Sequence, residues 1–478
     1  MLDGKYEKNC NMRKKALLLF IVVSVLTVII SYQENIDNPY LPIAISVCIE
    51  LVAYYIANKA IKLKLFSLST LFVTLVFLFH FGQLLLITFF PDVIELYSFR
   101  IVVNFFSDAQ ACYALKIMNI AFVAIAFGTL LPSKRYKATH MSNINIDYYQ
   151  LAKKIILLTF PFKVIIDLLT VYYSFTIGFS QTSLWLQSVP NFIRSFGKIS
   201  MVGFAILMVS LSTKPQKQKK VFIFVLVYLA VLMLSGWRSE NIAYLIVFAY
   251  LFLSTRPSIK LKNVIIYAVA GYFMLCFVQV VADMRTSSGR SIAGYSDMLS
   301  TMLFGGGLVI FDSLRELGNT GYTAECVLIN WLSRFDPSWG KSYILGLTAI
   351  LPNITGLSGK LTESAAFATQ LQQHNMVLSE YVNIGGSVLG EFFFNFGVIG
   401  GIIFAFIVGK IIGWFSDNAN RCLIGGDYSF LIIAIPVMFA SLYWVRDSFG
   451  HLIRDVVWAI LLSLIILKSM RHKQIVNV

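Results

Sequence analysis

The sequence predicts an all-α, polytopic integral membrane protein with about twelve transmembrane helices and one large extracytoplasmic loop. Three observations predict this class. The chain of 478 residues is 58% hydrophobic and only 13% charged, which is more apolar surface than one soluble core can bury. Apolar stretches of about 20 residues, the length that crosses a hydrocarbon core, recur along the chain. Basic residues alternate between successive loops, as they do in multi-pass proteins.

The apolar stretches are predicted to be helices because lipid offers the backbone no hydrogen-bond partners. The first stretch is followed by Ser31-Tyr32-Gln33 and not by a small-residue cleavage site, which indicates an uncleaved helix and not a signal peptide. Two of the stretches are short and flank a tight turn that contains Arg238. The predicted spans are 15–31, 40–58, 65–90, 110–131, 155–179, 197–213, 221–236, 240–255, 263–283, 386–415, 429–445 and 456–469.

The distribution of basic residues predicts the orientation. Of 39 lysines and arginines, 24 fall in segments on the same side of the membrane as the amino terminus, and six fall in the short loops on the opposite side. Because basic loops stay in the cytoplasm, both termini are predicted to be cytoplasmic. The net charge of +15 is therefore attributed to inner-leaflet anchoring, as by KPQKQKK, and not to nucleic-acid binding.

Three segments follow from the spacing of the spans. They are the amino-terminal transmembrane helices one to nine (1–283), a large extracytoplasmic loop (284–385) and the carboxy-terminal transmembrane helices ten to twelve (386–478). A loop this long is usually functional or disordered. Amphipathic, aromatic-rich pieces such as TAECVLINWLSRF favour short helices folded back on the bundle. Of six cysteines only Cys326 lies in this loop, so no disulfide framework is expected.

No motif for a metal or a phosphate-binding cofactor is present in the sequence. The five histidines are scattered, and HExxH, CxxC, GxSxG and GxxxxGK are all missing. We therefore expect no metal site and no cofactor.

Arginines concentrate at helix ends on the outer side, against the usual bias. The planar guanidinium fork suits phosphate oxygens, which favours a lipid diphosphate as ligand. The alternatives are interfacial snorkelling, or a pair with a nearby acid: Glu240 for the first arginine and the following aspartate for the last two. The arginines are Arg238, Arg285, Arg446 and Arg454.

Ionisable residues within predicted spans need a partner, because each costs about 2.5–3.5 kcal/mol at mid-bilayer. Lys163 and Asp167 are four positions apart and are predicted to form a structural pair. Glu50 and Lys116 have no evident partner, and their roles stay open.

Glu391 is the most informative of these residues. It lies near the outer end of span ten, with Asn395 one turn further on and Gly390, Gly397 and Gly401 favouring close helix packing. The alternative is a solvated carboxylate at a helix start, where the helix dipole favours negative charge.

The region from about 230 to 458 resembles the Wzy family of O-antigen and capsular oligosaccharide repeat-unit polymerases. The resemblance rests on the order of four pieces; the first 220 residues resemble the family only in hydropathy. The pieces are SGWRSENIAYLIVFAYLFL, RFDPSWGKSYILGLTAILPN, GGSVLGEFFFNFGVIGG and YWVRDSFGHLIRDVVW.

The resemblance implies a membrane glycosyltransferase similar in architecture to the C-type lipid-sugar transferases. Such enzymes polymerise undecaprenyl-diphosphate-linked oligosaccharides, both donor and acceptor, at the outer face of the bacterial inner (plasma) membrane. The implied reaction inverts the anomeric centre without metal, cofactor or nucleotide sugar, during synthesis of lipopolysaccharide O-antigen or capsule. Membrane lipids, a chain-length regulator and a flippase are the implied partners, and nucleic acid is not.

The resemblance also implies roles for individual residues. The acceptor hydroxyl gives its proton to His374 or Glu391, unless Glu391 instead orients an arginine and His374 is a surface residue. His374 also resembles the outer-loop histidine of the related O-antigen ligases. The implied catalytic residues are Glu391, His374 and Arg238, and the implied substrate-binding residues are Arg238, Arg285, Arg334, Arg446, Arg454 and Asn395. Arg334 is expected on either phosphate or sugar.

Two other functions fit parts of this pattern. An O-antigen ligase of the same superfamily would share the arginines and the large loop. A flippase or other transporter of lipid-linked oligosaccharides would commonly show internal repeats, and none is evident here.

Overall fold

The computed structural model describes residues 2–62, 66–92, 106–134, 136, 147–255, 261–284, 291–304, 309–351, 360–361, 366–374, 385–425 and 428–476. Every regular element in these ranges is helical, so the predicted all-α class is confirmed.

The elements follow one another with short connections through the first half of the chain. They are α1 (Leu2–Ser31), α2 (Leu41–Ile61), α3 (Leu68–Phe89), α4 (Asp108–Leu130), α5 (Tyr148–Thr176), α6 (Phe179–Ser188), α7 (Asn191–Ser210), α8 (Pro215–Met233), α9 (Ser239–Ser254) and α10 (Leu261–Met284).

The second half contains both short and very long helices. They are α11 (Ile292–Phe304), α12 (Val309–Cys326) with its π-helical continuation Val327–Trp331, α13 (Lys341–Gly346) with the 3₁₀ turn Leu347–Ile350, α14 (Phe367–Gln373), α15 (Val388–Gly425), α16 (Leu431–Trp444) and α17 (Phe449–Val476).

Eight helices among the described residues are long and apolar enough to cross a membrane, or nine if α11 and α12 form one bent span. The eight are α1, α2, α3, α4, α5, α7, α15 and α17. The polytopic class is therefore confirmed. Each of the twelve predicted spans coincides with a helix, but α9, α16 and the apolar part of α10 are shorter. The number twelve stays a prediction.

Glycines bring two pairs of helices into backbone contact. A Cβ atom at Gly409 of α15 would lie 2.3 Å from the carbonyl oxygen of Ile125 in α4. A Cβ atom at Gly318 of α12 would lie 2.4 Å from the backbone nitrogen of Gln83 in α3. Small residues are what allow such an approach in membrane bundles. Part of the segment predicted as a long loop is thus packed into the helix bundle.

The four ionisable residues singled out within the predicted spans have polar or aromatic partners. The predicted pair is confirmed, with 2.9 Å between Lys163 Nζ and Asp167 Oδ2. Glu50 accepts hydrogen bonds from two hydroxyls of α1, one of them Ser24 Oγ at 2.9 Å. Lys116 Nζ lies 5.1 Å from the ring centre of Tyr32. These contacts explain how the bundle accommodates charge.

The three glycines predicted to bring neighbours close have different roles. Gly390 faces α12, where a Cβ atom would lie 3.3 Å from Ala324 Cα. Gly401 faces Phe393 of its own helix. Gly397 interrupts α15 with φ of +67° and ψ of −168°, a conformation open essentially to glycine alone. The amino-terminal part of α15, up to Phe396, is therefore a separate helical piece.

Replacing Gly397 with alanine is expected to destabilise the fold by roughly 1–3 kcal/mol. The backbone conformation disfavours a side chain, and the new Cβ would lie 3.1 Å from Pro337 Cγ. The thermal midpoint in detergent measures this effect. Gly425→Ala is the matched control, because no atom lies within 4 Å of its Cβ position. Equal midpoints for the two variants would contradict the assigned strain.

Candidate active site

The turn between α16 and α17 packs against the first turn of α15, and Glu391 holds the two together. Its Oε2 atom accepts hydrogen bonds from Trp444 Nε1 at 2.7 Å and from the backbone nitrogen of Phe449 at 3.1 Å. The carboxylate is 1% exposed and lies at the amino end of α17, where a negative charge is favoured. Glu391 thus fixes the start of α17. Its carboxylate forms no ion pair with an arginine among the described residues.

The chain before α15 also touches this turn. A Cβ atom at Gly386 would lie 2.3 Å from the carbonyl carbon of Asp447. The backbone nitrogen of Val388 donates to the carbonyl oxygen of Val445 at 3.3 Å. The turn of residues 445–448 therefore has a fixed backbone, and the side chains it carries are held in place.

His451 and Asp447 form a pair at the edge of this turn. The distance from His451 Nδ1 to Asp447 Oδ1 is 2.9 Å, and the imidazole is 53% exposed. A carboxylate can only accept, so in the neutral imidazole Nδ1 carries the hydrogen and Nε2 has the lone pair. Sequence reasoning missed this pair. The only local signal was an aspartate four positions before a histidine, between the predicted spans 429–445 and 456–469.

Glu391 and His451 line one narrow crevice that is partly open to solvent and has room for about one water molecule. Its other lining residues are Ser342, Gly346, Ala366, Ser448 and Gly450. Two hydroxyl groups and one carboxylate thus lie in the wall of the crevice together with the histidine. Such a crevice can bind a polar group and accept a proton from it.

Arg446 is the cation of the same turn. Its guanidinium lies 5.8 Å from the ring centre of Phe79, and burial lowers the pKa of Arg446 from its ordinary value. It forms no ion pair with a carboxylate in the part of the chain that the structure describes. The alternative pair with Asp447 is not formed, because that carboxylate binds His451 and the backbone nitrogen of Ser448. The charge of Arg446 is available to an anion.

Arg454 belongs to a neighbouring network of charges. Its Nε atom donates to Ser195 Oγ at 2.7 Å and lies 3.6 Å from Asp455 Oδ1, so the alternative pair with Asp455 is present. Lys198 joins the network through Asp455 at 3.3 Å and Glu240 at 2.8 Å. These contacts connect the amino-terminal ends of α7, α9 and α17. His451 and Arg454 are close enough for their charges to interact.

Arg238 binds a carboxylate that sequence reasoning did not consider. Both terminal nitrogens of its guanidinium contact Glu316 of α12, one of them at 2.8 Å, and the side chain is buried. Glu240, the alternative partner, instead contacts Lys198. The arginine also donates to the carbonyl oxygen of Val278 at 3.4 Å. Arg238 therefore connects α9, α10 and α12.

Substitution of this pair should show one shared interaction. Arg238→Lys and Glu316→Gln should each lower the free energy of unfolding by roughly 1–3 kcal/mol, because each loses charge-assisted hydrogen bonds. The double variant should be no less stable than the worse single variant. Thermal midpoints of the three variants measure this. A double variant whose loss equals the sum of the single losses would show that the two residues act independently.

Arg334 and His374 are both exposed. The ring of Trp331 stacks on Phe335 with 4.5 Å between centres and packs on Phe394 of α15 at 4.7 Å. The His374 ring lies 5.1 Å from that of Phe335. Arg285, the remaining predicted arginine, lies outside the described residues.

Asn395 connects α15 with Ser342 of α13. Its Nδ2 atom donates to Ser342 Oγ at 2.7 Å and to the carbonyl oxygen of Glu391 at 2.8 Å. Its Oδ1 atom accepts from the backbone nitrogen of Ser342 at 3.3 Å. The buried amide thereby fixes Ser342 in the crevice wall.

No group of three or more potential metal ligands occurs among the described residues. The arrangement offers a histidine oriented by a carboxylate, on a turn that also carries an arginine without an ion-pair partner among the described residues. These groups suit transfer of a group whose acceptor loses a proton and whose leaving group is negatively charged.

Comparison with known proteins identifies the family. A model of the family described as O-antigen polysaccharide polymerase Wzy matches residues 16–474, which is nearly the whole chain. The similarity thus extends well beyond the 230–458 region in which the motifs are evident. No curated protein and no solved structure matches the chain. The chain therefore belongs to the O-antigen polysaccharide polymerase Wzy family, as a multi-pass bacterial membrane protein.

Proposed function

We propose that this polymerase transfers a growing glycan from undecaprenyl diphosphate onto the non-reducing end of a second lipid-linked repeat unit. The reaction takes place at the outer face of the inner (plasma) membrane, with both termini in the cytoplasm. Segment 284–385 contributes to the outer side, between the transmembrane segments 1–283 and 386–478. Family membership supports the polymerase activity. The observation that carries the mechanism is the hydrogen-bonded pair of His451, which lines the crevice, and Asp447, which follows Arg446 in the chain.

The transfer makes one bond and breaks one. The acceptor hydroxyl oxygen attacks the anomeric carbon of the donor sugar, and the bond from that carbon to the diphosphate oxygen breaks. The diphosphate leaves with the electron pair, and a single attack from the opposite side inverts the anomeric centre. The hydroxyl proton passes to His451 Nε2, and Asp447 stabilises the imidazolium that forms.

Arginine compensates for the charge that develops on the leaving diphosphate. Arg446 is fixed in a turn and partly shielded from water, so its charge acts without reorganisation at the moment of transfer. Arg454, three positions beyond His451, extends the positive surface along α17. No step of the proposed reaction is assigned to a metal ion. Arg285 and Arg334 remain substrate-binding candidates.

Arg238, Glu391 and Asn395 are assigned positioning roles in this proposal. Arg238 has its guanidinium on Glu316, and Asn395 has its amide on Ser342. Glu391 has its carboxylate on two neutral donors at the ends of α16 and α17. Each holds an element that carries a substrate-facing group. His374 is a weaker base candidate than His451, because no carboxylate among the described residues orients its ring.

Two substitutions of Glu391 separate a positioning residue from a proton acceptor. Glu391→Gln keeps an oxygen for Trp444 and Phe449, so kcat should fall by about 10-fold or less. Glu391→Ala leaves both donors unpaired, and kcat should fall by roughly 100-fold with a lower thermal midpoint. The polymerisation rate of purified protein measures both. Complete loss of turnover in folded Glu391→Gln would instead make Glu391 the base.

A deletion strain tests the cellular function against its rivals. Loss of this polymerase should leave single repeat units attached to the lipid-A core. Uncapped core together with long lipid-linked chains would instead identify a ligase. Repeat units retained on the cytoplasmic leaflet would identify a flippase.

A further inference from the structure

Trp339 lies on an exposed turn in an uncommon backbone conformation. Its φ angle is +49°, and its side chain is 76% exposed. A bulky residue at positive φ is an outlier that persists only where its surroundings fix it, and such residues cluster at functional sites. The next residue, Gly340, also has a positive φ, of +79°. The turn thus holds a large aromatic ring away from the protein interior.

One hydrogen bond joins this turn to α15, and a second closes the turn on itself. The backbone nitrogen of Ser338 donates to the carbonyl oxygen of Phe394 at 2.9 Å, and that of Lys341 donates to Ser338 at 3.0 Å. Ser342, three positions after the tryptophan, lines the crevice that also contains His451. Trp339 therefore lies three positions along the chain from a residue of the proposed active site.

The surroundings of Trp339 combine exposed charges with exposed apolar side chains such as Ile344, which bears on what the ring binds. Arg334, Asp336 and Lys341 on the same turn are all exposed. By contrast, the surface that α5 presents outward carries apolar residues such as Leu157 and Leu168, as expected against lipid. An exposed ring among charged groups matches a sugar, which has an apolar C–H face and a rim of hydroxyl groups.

We propose that Trp339 stacks on a pyranose ring of the repeat-unit oligosaccharide, with Arg334 and Asp336 binding its hydroxyl groups. Phe335, 38% exposed on the same turn, extends the apolar surface. This inference rests on the proposed function and adds a glycan subsite to it. Stacking at this position sets the register of the acceptor glycan, and hence which hydroxyl reaches His451.

Kinetics with purified protein in nanodiscs test the subsite. Trp339→Ala should raise the KM for the lipid-linked repeat unit by roughly 10-fold, with kcat within about twofold of the wild type. Trp339→Phe, which keeps an aromatic face, should recover most of this loss. Trp185→Ala of α6 is the matched control, a tryptophan outside the proposed site, and should leave KM unchanged.

A fluorescence measurement separates sugar binding from membrane anchoring without relying on turnover. The difference between wild type and Trp339→Phe isolates the emission of this residue. Water-soluble repeat-unit oligosaccharide should change that emission, and brominated lipids should not quench it.

The possible outcomes distinguish failure of the subsite from failure of the proposed function. Quenching by brominated lipid, with no response to oligosaccharide, would overturn the subsite in favour of an interfacial anchor. An active wild type with unchanged KM in Trp339→Ala would also overturn it. An inactive wild type would instead count against the polymerase mechanism, and the oligosaccharide response would still decide whether Trp339 binds sugar.

Discussion

Replacing His451 with alanine is expected to lower kcat for glycan polymerisation by about 10²–10⁴-fold, the usual contribution of a general base. The acceptor hydroxyl would lose the group that takes its proton, while the diphosphate would still meet Arg446. KM for the lipid-linked substrates should change little. The imidazole is half exposed, so the thermal midpoint should stay close to that of the wild type. Initial rates from the glycan ladder, with the midpoint measured on the same preparation, test this.

His374→Ala is the matched control for this experiment. Both histidines are exposed, but only His451 has a carboxylate on Nδ1 among the described residues. The control should keep its rate within about threefold of the wild type. Normal polymerisation by His451→Ala together with loss in His374→Ala would move the base to the segment around residue 374.

Removing the Arg446 side chain should have the second-largest effect. Arg446→Ala is expected to lower kcat by roughly 10²–10³-fold, because a preorganised charge at the leaving group is lost. Arg446→Lys keeps the charge but not the fork, and should recover part of the rate. Release of undecaprenyl diphosphate measures the step directly.

Arg13→Ala provides a control for loss of an arginine far from the site. Arg13 is exposed in α1 on the side predicted to be cytoplasmic, so its removal should leave the rate unchanged. Full activity in Arg446→Ala, with loss in Arg454→Ala, would place the leaving diphosphate on the Ser195–Asp455 network instead.

The helical membrane architecture was predictable because hydropathy at span length is a local property. The boundaries of α2 and α3, for example, lie within about three residues of the predicted spans. Helix length was a weaker guide to membrane crossing for three apolar helices. The helices α9 and α16 are short, and α8 begins with lysines. Their contribution to the span count depends on tertiary packing, which hydropathy does not contain.

The candidate site was only partly predictable, because its contacts join distant parts of the chain. Glu391 stood out as a charge in an apolar stretch, and Arg446 as a basic residue on the side predicted to carry few. The structure brings the start of α15, which contains Glu391, to the turn that contains Arg446. The partner of Arg238 is 78 positions away, and the donors to Glu391 are 53 and 58 positions away. No sequence spacing indicates such pairs.

Three similar glycines show the same limit. Gly390, Gly397 and Gly401 follow one pattern in the sequence, yet their roles differ. The first contacts α12, the second interrupts α15, and the third packs on Phe393 of α15. Backbone dihedral angles and the identity of the facing element decide between these roles. Neither is encoded in residue type alone.

The most direct test of the central claim is reconstitution with lipid-linked repeat units as the only glycan source, without nucleotide sugar. Purified protein in nanodiscs is predicted to produce a ladder with steps of one repeat unit, and to release one undecaprenyl diphosphate for each bond formed. The His451→Ala protein should give neither product in the same time. A folded wild-type protein that yields no ladder, but transfers preformed glycan to lipid-A core, would contradict the claim.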